Sequence, residues 1–125
     1  IFRKALGGGM RQAGILAAAG LIALREMPGR LHEDHANARL LAEAVASHPA
    51  AVIDMGSVQT NIVIFALRNG GDASAFTAAL KQKGVLASAI GPHGVRFVTH
   101  YDVDRSACER AASIVSEELG RVESY

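Results

Sequence analysis

The stretch from Arg3 to Gln12, RKALGGGMRQ, places three adjacent glycines between basic residues, and an Ala- and Leu-rich segment follows. A glycine-rich turn that opens a helix exposes backbone N–H groups beside the positive helix end, which favours binding of a phosphate or a carboxylate. Lys4 and Arg11 would add two full positive charges. The phosphate-binding pattern GxxxxGK[ST] is absent, and so is GxGxxG after a strand. These residues alone leave two interpretations open, an anion site and a flexible hinge between two domains.

A second candidate for anion binding is Arg96, which lies in the strand-like segment GVRFVTH. Its guanidinium group can hold a carboxylate through two parallel N–H bonds. From spacing alone, a solvated charge on an edge strand is the more common role for such an arginine.

The histidines give weaker signals. His32 and His35, in HEDH, are spaced i,i+3 on a predicted helix. This spacing differs from the zinc motif HExxH and is more typical of surface or interface residues, so we predict no metal site. His100 and Asp102 follow a predicted strand and could form an acid–base pair, although a loop histidine near an aspartate is usually structural. Cys108 is expected to be a small core residue.

The composition limits the classes of function. The 125 residues fit about one domain, and half of them are hydrophobic, which is enough for a packed core. The net charge of +1 gives no electrostatic indication of a nucleic-acid partner. The apolar run Ala13–Leu24 is too short to cross a bilayer, so we predict no membrane partner. The chain opens on Ile1 in dense sequence, and we expect it to be a fragment of a longer chain or only its ordered part.

The periodicity predicts an α/β (α+β) domain with the order α-α-β-α-β-β-α, in which helices cover a three-stranded, mainly antiparallel sheet. Asp72 and Asp104 are expected to cap the third and fourth helices. The predicted helices are Arg11–Met27, Arg30–Ser47, Ala73–Lys83 and Arg105 to about Val122, and the predicted strands are Thr60–Leu67, Val85–Ile90 and Val95–Thr99, with Ala51–Ile53 as a candidate short strand.

Four segments of the sequence carry a family resemblance when they are taken in this order: RKALGGGMRQAGILAAAGLIAL, LHEDHANARLLAE, TNIV and GVRFVTHYDV. Together they resemble the C-terminal part of the low-specificity and allo-specific L-threonine aldolases, fold-type-I pyridoxal-phosphate enzymes of the β-eliminating lyase-like group. The resemblance implies the C-terminal small domain of an enzyme that cleaves β-hydroxy-α-amino acids to glycine and an aldehyde. It also implies a homotetramer with active sites shared between subunits.

The resemblance also implies roles for single residues. Lys4 and Arg11 match basic residues that reach the phosphate of the cofactor, pyridoxal phosphate, and Arg96 matches the arginine that holds the substrate α-carboxylate. The family's Schiff-base lysine lies upstream in a context that Lys4, Lys81 and Lys83 all lack. We therefore predict no catalytic residue in this chain and expect the fragment alone to be inactive.

The resemblance divides the chain into residues 1–28, a loop and linking helix from a large cofactor domain, and residues 29–125, the small domain. It implies cleavage of L-threonine or L-allo-threonine in the cytoplasm. Two alternatives stay open: a related pyridoxal-phosphate lyase or phenylserine-type aldolase, and a free-standing α/β domain that binds a small anion.

Overall fold

The first helices of the chain form around the glycine-rich segment. In the computed structural model, which describes residues 2–122, helix α1 covers Phe2–Ala5 and helix α2 covers Gly14–Glu26. The predicted start of the second of these helices, at Arg11, is wrong. Gln12 adopts a left-handed backbone conformation with φ of 50°, and Ala13 offers no side-chain cap, so the helix begins three residues later. A 3-10 turn at Pro28–Arg30 ends it.

The chain divides into two units, Ile1–Leu31 and His32–Tyr125. The assignment of residues 1–28 to a loop and linking helix from a large cofactor domain, and of residues 29–125 to a small domain, stays a prediction. Within the first unit, α2 is apolar around its circumference, and its side chains are exposed; Ile15 is 87% exposed and Leu24 is 75% exposed. No helix among residues 2–122 is long and apolar enough to cross a membrane.

The second unit is built on one antiparallel sheet. Its strands have the spatial order β1-β2-β4-β3. The predicted fold class is confirmed, with four strands instead of three because the short candidate strand at Ala51 pairs with β2. The strands are β1 at Ala51–Val52, β2 at Ile62–Leu67, β3 at Ser88–Ala89 and β4 at Gly94–Val98.

Within the described part of the second unit, helices cover one face of this sheet. Alternate side chains of β2 and β4 point into the core, where Phe65 packs edge-on against Phe76 at a ring separation of 6.2 Å. Asp72 and Asp104 accept backbone N–H bonds at the helix starts that they were predicted to cap. The covering helices are α3 at Leu31–Ala46, α4 at Ala73–Gln82 and α5 at Arg105–Val122.

Strand β3 is shorter than the predicted Val85–Ile90. The N–H of Val85 donates to the carbonyl of Leu80 at 3.0 Å and so completes the end of α4 instead of joining the sheet. At the other end, the hairpin to β4 closes so tightly that a Cβ on Gly94 would lie 2.6 Å from the carbonyl oxygen of Ile90. Only a glycine permits this approach.

Candidate functional site

The glycine loop folds back onto the short helix that precedes it. Gly7 has a φ of 80°, and the N–H of Gly8 donates to the carbonyl of Arg3 at 2.7 Å. A Cβ on Gly8 would lie 2.9 Å from that oxygen. The Arg3 guanidinium donates to the carbonyl of Met10 at 2.8 Å and joins the two ends of the loop. The loop therefore has a defined local structure that requires a glycine at position 8.

The two predicted phosphate-side cations flank this loop. Lys4 lies in α1 and Arg11 lies between the loop and α2, and both are exposed. Neither side chain forms an ion pair or hydrogen bond within residues 2–122. Arg11 does not lie in the first turn of the helix, where we predicted it, because α2 begins at Gly14. Its charge stands beside the loop, and both side chains are available for an external anion.

Arg96 lies at the middle of β4, which runs between β2 and β3. The interpretation of this arginine as an edge-strand charge is therefore wrong. Its cross-strand neighbours are Ile64 on β2 and Ser88 on β3. An internal strand places an exposed charge at the centre of a sheet face, where its immediate surroundings are other strand residues.

The sheet face around Arg96 is mostly apolar, and we call it the open face. Side chains on β1, β2 and β4 that share this face are between 41% and 49% exposed. No carboxylate among residues 2–122 pairs with Arg96. An arginine without an acidic partner on such a face keeps its N–H donors available for an anion. The open face consists of Val52, Ile62, Ile64, Ser88, Arg96 and Val98.

The geometry of His100 and Asp102, which were considered as an acid–base pair, indicates a structural role. The ring Nδ1 lies 3.5 Å from the carboxylate oxygen Oδ2, and it also lies 3.3 Å from the backbone N–H of Asp102. When the ring nitrogen accepts that N–H, it stabilises the turn after β4. Both side chains are exposed, so nothing excludes water from this pair.

Buried polar groups that the sequence did not reveal hold the end of β4. The hydroxyl of Thr99 is buried and donates to the backbone carbonyl of Asp34 on α3 at 2.7 Å. The amide of Asn37 donates to the carbonyl of Val103 at 3.4 Å. These contacts fix the strand that carries Arg96 against the helical layer. Among residues 2–122, no group of three or more His, Cys, Asp or Glu side chains is placed to hold a metal ion.

Lys83 forms ion pairs with two glutamates of α5. Its amine lies 2.7 Å from Glu118 and 2.9 Å from Glu117, and these hydrogen bonds raise the pKa of Lys83. A raised pKa keeps the amine protonated and therefore not nucleophilic. Cys108 is a core residue, as predicted, and burial raises the pKa of its thiol.

The second unit also contains a cleft of about 560 Å³ at the C-terminal end of β4. Its walls are mostly apolar and include Val85, Val98 and Ile114. Arg96 does not line the cleft, whereas Val98 belongs both to the cleft wall and to the open face.

Comparison with known proteins identifies the family. A family model described as beta-eliminating lyase matches residues 1–68 of the 125, which is more than half of the chain. The chain belongs to the beta-eliminating lyase family. This assignment agrees with the resemblance noted in the sequence. The matched residues include the glycine loop, α1, α2, α3 and β2.

Curated relatives support the same assignment. The low specificity L-threonine aldolase of Escherichia coli strain K12 is 41% identical over 112 residues, which cover 90% of this chain and 32% of the relative. The low-specificity L-threonine aldolase 1 of Arabidopsis thaliana is 32% identical over 127 residues, which cover 95% of this chain and 36% of the relative. The chain thus spans about a third of the length of these relatives.

Solved structures share the fold. A structure of MppP soaked with the product 2-ketoarginine matches with a TM-score of 0.63 at 13% identity, over 78% of this chain and 30% of that chain. The Oryza sativa TDC structure with PLP and tryptamine matches with a TM-score of 0.59 at 14% identity, over 74% of this chain and 23% of that chain. These neighbours confirm the predicted α/β (α+β) fold class.

The loop geometry predicts different effects for two adjacent glycines. Gly8→Val introduces a Cβ against the carbonyl of Arg3 and should break the Gly8 N–H bond to it, whereas a Cβ at residue 9 meets no atom within 4 Å. We expect amide hydrogen exchange at residue 8 to accelerate at least about tenfold in Gly8→Val, because the lost bond is a net contribution of about 1 kcal/mol together with steric strain. Gly9→Val is the matched control. Equal exchange rates in the two variants would contradict this account of the loop.

Proposed function

We propose that the chain is the C-terminal, substrate-binding part of a pyridoxal-phosphate (PLP)-dependent carbon–carbon lyase. In this proposal the full-length protein is a threonine aldolase, which cleaves L-threonine or L-allo-threonine to glycine and an aldehyde. Membership of the beta-eliminating lyase family and the similarity to two low-specificity L-threonine aldolases support it. The observation that carries it is the position of Arg96 at the centre of the open face, with no acidic partner among residues 2–122.

Arg96 has the chemistry to bind the α-carboxylate of an amino acid. The planar guanidinium group presents paired N–H donors that match the two carboxylate oxygens. The apolar neighbours Ile64 and Val98 lower the polarity around the pair when substrate excludes water, and this strengthens the charged hydrogen bonds. Arg96 would then fix one end of the substrate and so orient the bond to be broken.

The residues at the glycine loop fit the phosphate end of PLP. Lys4 and Arg11 supply two cations that have no partner in the part of the chain that the structure describes, and the loop beside them is shaped by a close backbone approach at Gly8. This donor set suits a phosphate group. When bound, PLP acts as the electron sink for cleavage of the Cα–Cβ bond. The proposed role of Lys4 and Arg11 is to hold the phosphate by charge.

The lysine that anchors PLP covalently is proposed to lie outside this chain. Lys83 is held by two glutamates, which raise its pKa, and Lys81 is exposed near the end of α4. Lys83 is therefore not suited to react as a free amine, and Lys4, Lys81 and Lys83 all lack the sequence context of the family's Schiff-base lysine. The chain therefore contributes binding groups, and its isolated form is expected to be inactive.

The assembly and the compartment also belong to the proposal. A homotetramer with shared active sites and a cytoplasmic location are what the relationship to the threonine aldolases suggests. Activity of the full-length protein on threonine, allo-threonine and phenylserine, measured side by side, distinguishes a threonine aldolase from a phenylserine-type aldolase of the same scaffold.

The carboxylate role of Arg96 predicts a specific kinetic defect. In the full-length protein, Arg96→Ala should raise KM and lower kcat/KM more than about tenfold, because a hydrogen bond to a charged group contributes roughly 1.5–3 kcal/mol. The absorbance of bound PLP should persist. Arg105→Ala, which removes an exposed arginine paired with Glu109 on α5, is the matched control. Kinetics of Arg96→Ala within about twofold of the parent would reduce Arg96 to a surface charge.

The phosphate role of Arg11 predicts weaker cofactor binding. Arg11→Ala in the full-length protein should raise the Kd of PLP about tenfold, the effect of one charged hydrogen bond. Equilibrium dialysis measures this directly, and sedimentation should show more dissociation of the cofactor-free assembly than of the loaded one. Arg25→Ala, on the exposed α2, is the control. An unchanged affinity would leave the loop as a hinge and remove the phosphate argument.

A further inference from the structure

The hydrogen-bond pattern of β4 determines which residues flank Arg96. The N–H of Ile90 donates to the carbonyl of Gly94 at 2.8 Å, so the even-numbered residues of β4 direct their backbone groups toward β3. Arg96 and Ser88 therefore form a directly opposed, hydrogen-bonded pair. Their Cβ atoms lie about 4.5–5.5 Å apart on the same face of the sheet.

The other side of Arg96 differs in both spacing and chemistry. The N–H of Thr99 donates to the carbonyl of Asn61, so the odd-numbered residues bond to β2, and Arg96 and Ile64 form a non-hydrogen-bonded pair. Side chains in such pairs lie closer together. The branched side chain of Ile64 thus fills the space on the β2 side, whereas the small side chain of Ser88 leaves space on the β3 side.

Ser88 also has an unused hydrogen-bonding group. It is exposed, and its hydroxyl forms no hydrogen bond within residues 2–122. A hydroxyl oxygen can accept one N–H of a guanidinium group and leave the remaining paired donors for a carboxylate. Arg96, equally without a partner in this range, is the nearest cross-strand cation.

We propose that Ser88 is a positioning residue for Arg96. With substrate bound, Ile64 excludes the guanidinium from the β2 side, and the Ser88 hydroxyl, which makes no such bond in this structure, accepts a hydrogen bond from Arg96 on the β3 side. The other N–H donors then face the substrate carboxylate. This inference rests on the proposed function, since it assigns the geometry of the same carboxylate site.

Two isosteric variants test the hydroxyl. Ser88→Thr keeps the oxygen, and Ser88→Val replaces it with a methyl group of similar shape; both residues are favoured in strands, so folding is matched. In the full-length, PLP-loaded protein we expect Ser88→Val to raise the Kd of glycine and the KM of threonine about three- to tenfold, the range of one hydrogen bond, with kcat within about twofold. Ser88→Thr should remain within about twofold of the parent in all three quantities.

Methylamine separates positioning from a general structural role. It shares the amine of glycine but lacks the carboxylate, so its affinity, measured by calorimetry, should be the same in the parent and in Ser88→Val. Ser113→Ala, an exposed serine on α5, is the control for loss of a hydroxyl elsewhere.

Arg96→Ala separates this inference from the proposed function. If Arg96→Ala weakens glycine binding while Ser88→Val and Ser88→Thr bind glycine equally well, the positioning role is overturned and the carboxylate site stands. If Arg96→Ala leaves glycine binding unchanged, the carboxylate site itself is overturned, and the role of Ser88 falls with it. If Ser88→Val weakens the binding of methylamine as much as the binding of glycine, the effect of the substitution is structural and the inference is wrong.

Discussion

The pleat of β4 is the constraint on which the site depends. Successive side chains of this strand alternate between the helical layer and the open face, so Val95 and Phe97 are buried while Arg96 between them is exposed. Because β4 pairs on both sides, its register cannot shift by one residue without burying the arginine and exposing the core. The packing of the core therefore also fixes the position of the charge, and Thr99 holds the end of the strand against α3.

The proposed carboxylate-binding residue and the proposed phosphate-binding residues are positioned by different means. Arg96 stands on a regular strand whose direction is set by sheet pairing. Lys4 and Arg11 stand at a loop whose shape is set by the contact between Gly8 and the carbonyl of Arg3. A strand gives a rigid base for recognising the planar carboxylate, whereas a loop between cations suits the more symmetric phosphate, which is bound largely by charge.

Much of this fold could be predicted from the sequence because its strongest elements have strong local signals. The apolar, β-branched segment of β2 and the capping aspartates Asp72 and Asp104 identified a strand and two helix starts close to their observed positions. The boundaries that failed depend on tertiary contacts. Val85 has the composition of a strand residue, but its N–H completes α4.

The site shows the same division between local and tertiary information. The sequence identified Arg96 as a candidate, but only the strand order places it on an internal strand, because pairing between distant segments leaves no local pattern. The start of α2 failed for a related reason, since a single left-handed residue, Gln12, separates the loop from the helix. Ser88 carried no signal at all in the sequence, and its relation to Arg96 exists only through the register of the hairpin.

The most direct test of the central claim is a crystal structure of the full-length, PLP-loaded protein with glycine bound. The account predicts two guanidinium nitrogens of Arg96 at about 2.7–2.9 Å from the two glycine carboxylate oxygens, the distance of a charge-assisted pair. A glycine carboxylate held by other groups, with Arg96 paired to an acidic side chain of the protein itself, would contradict it.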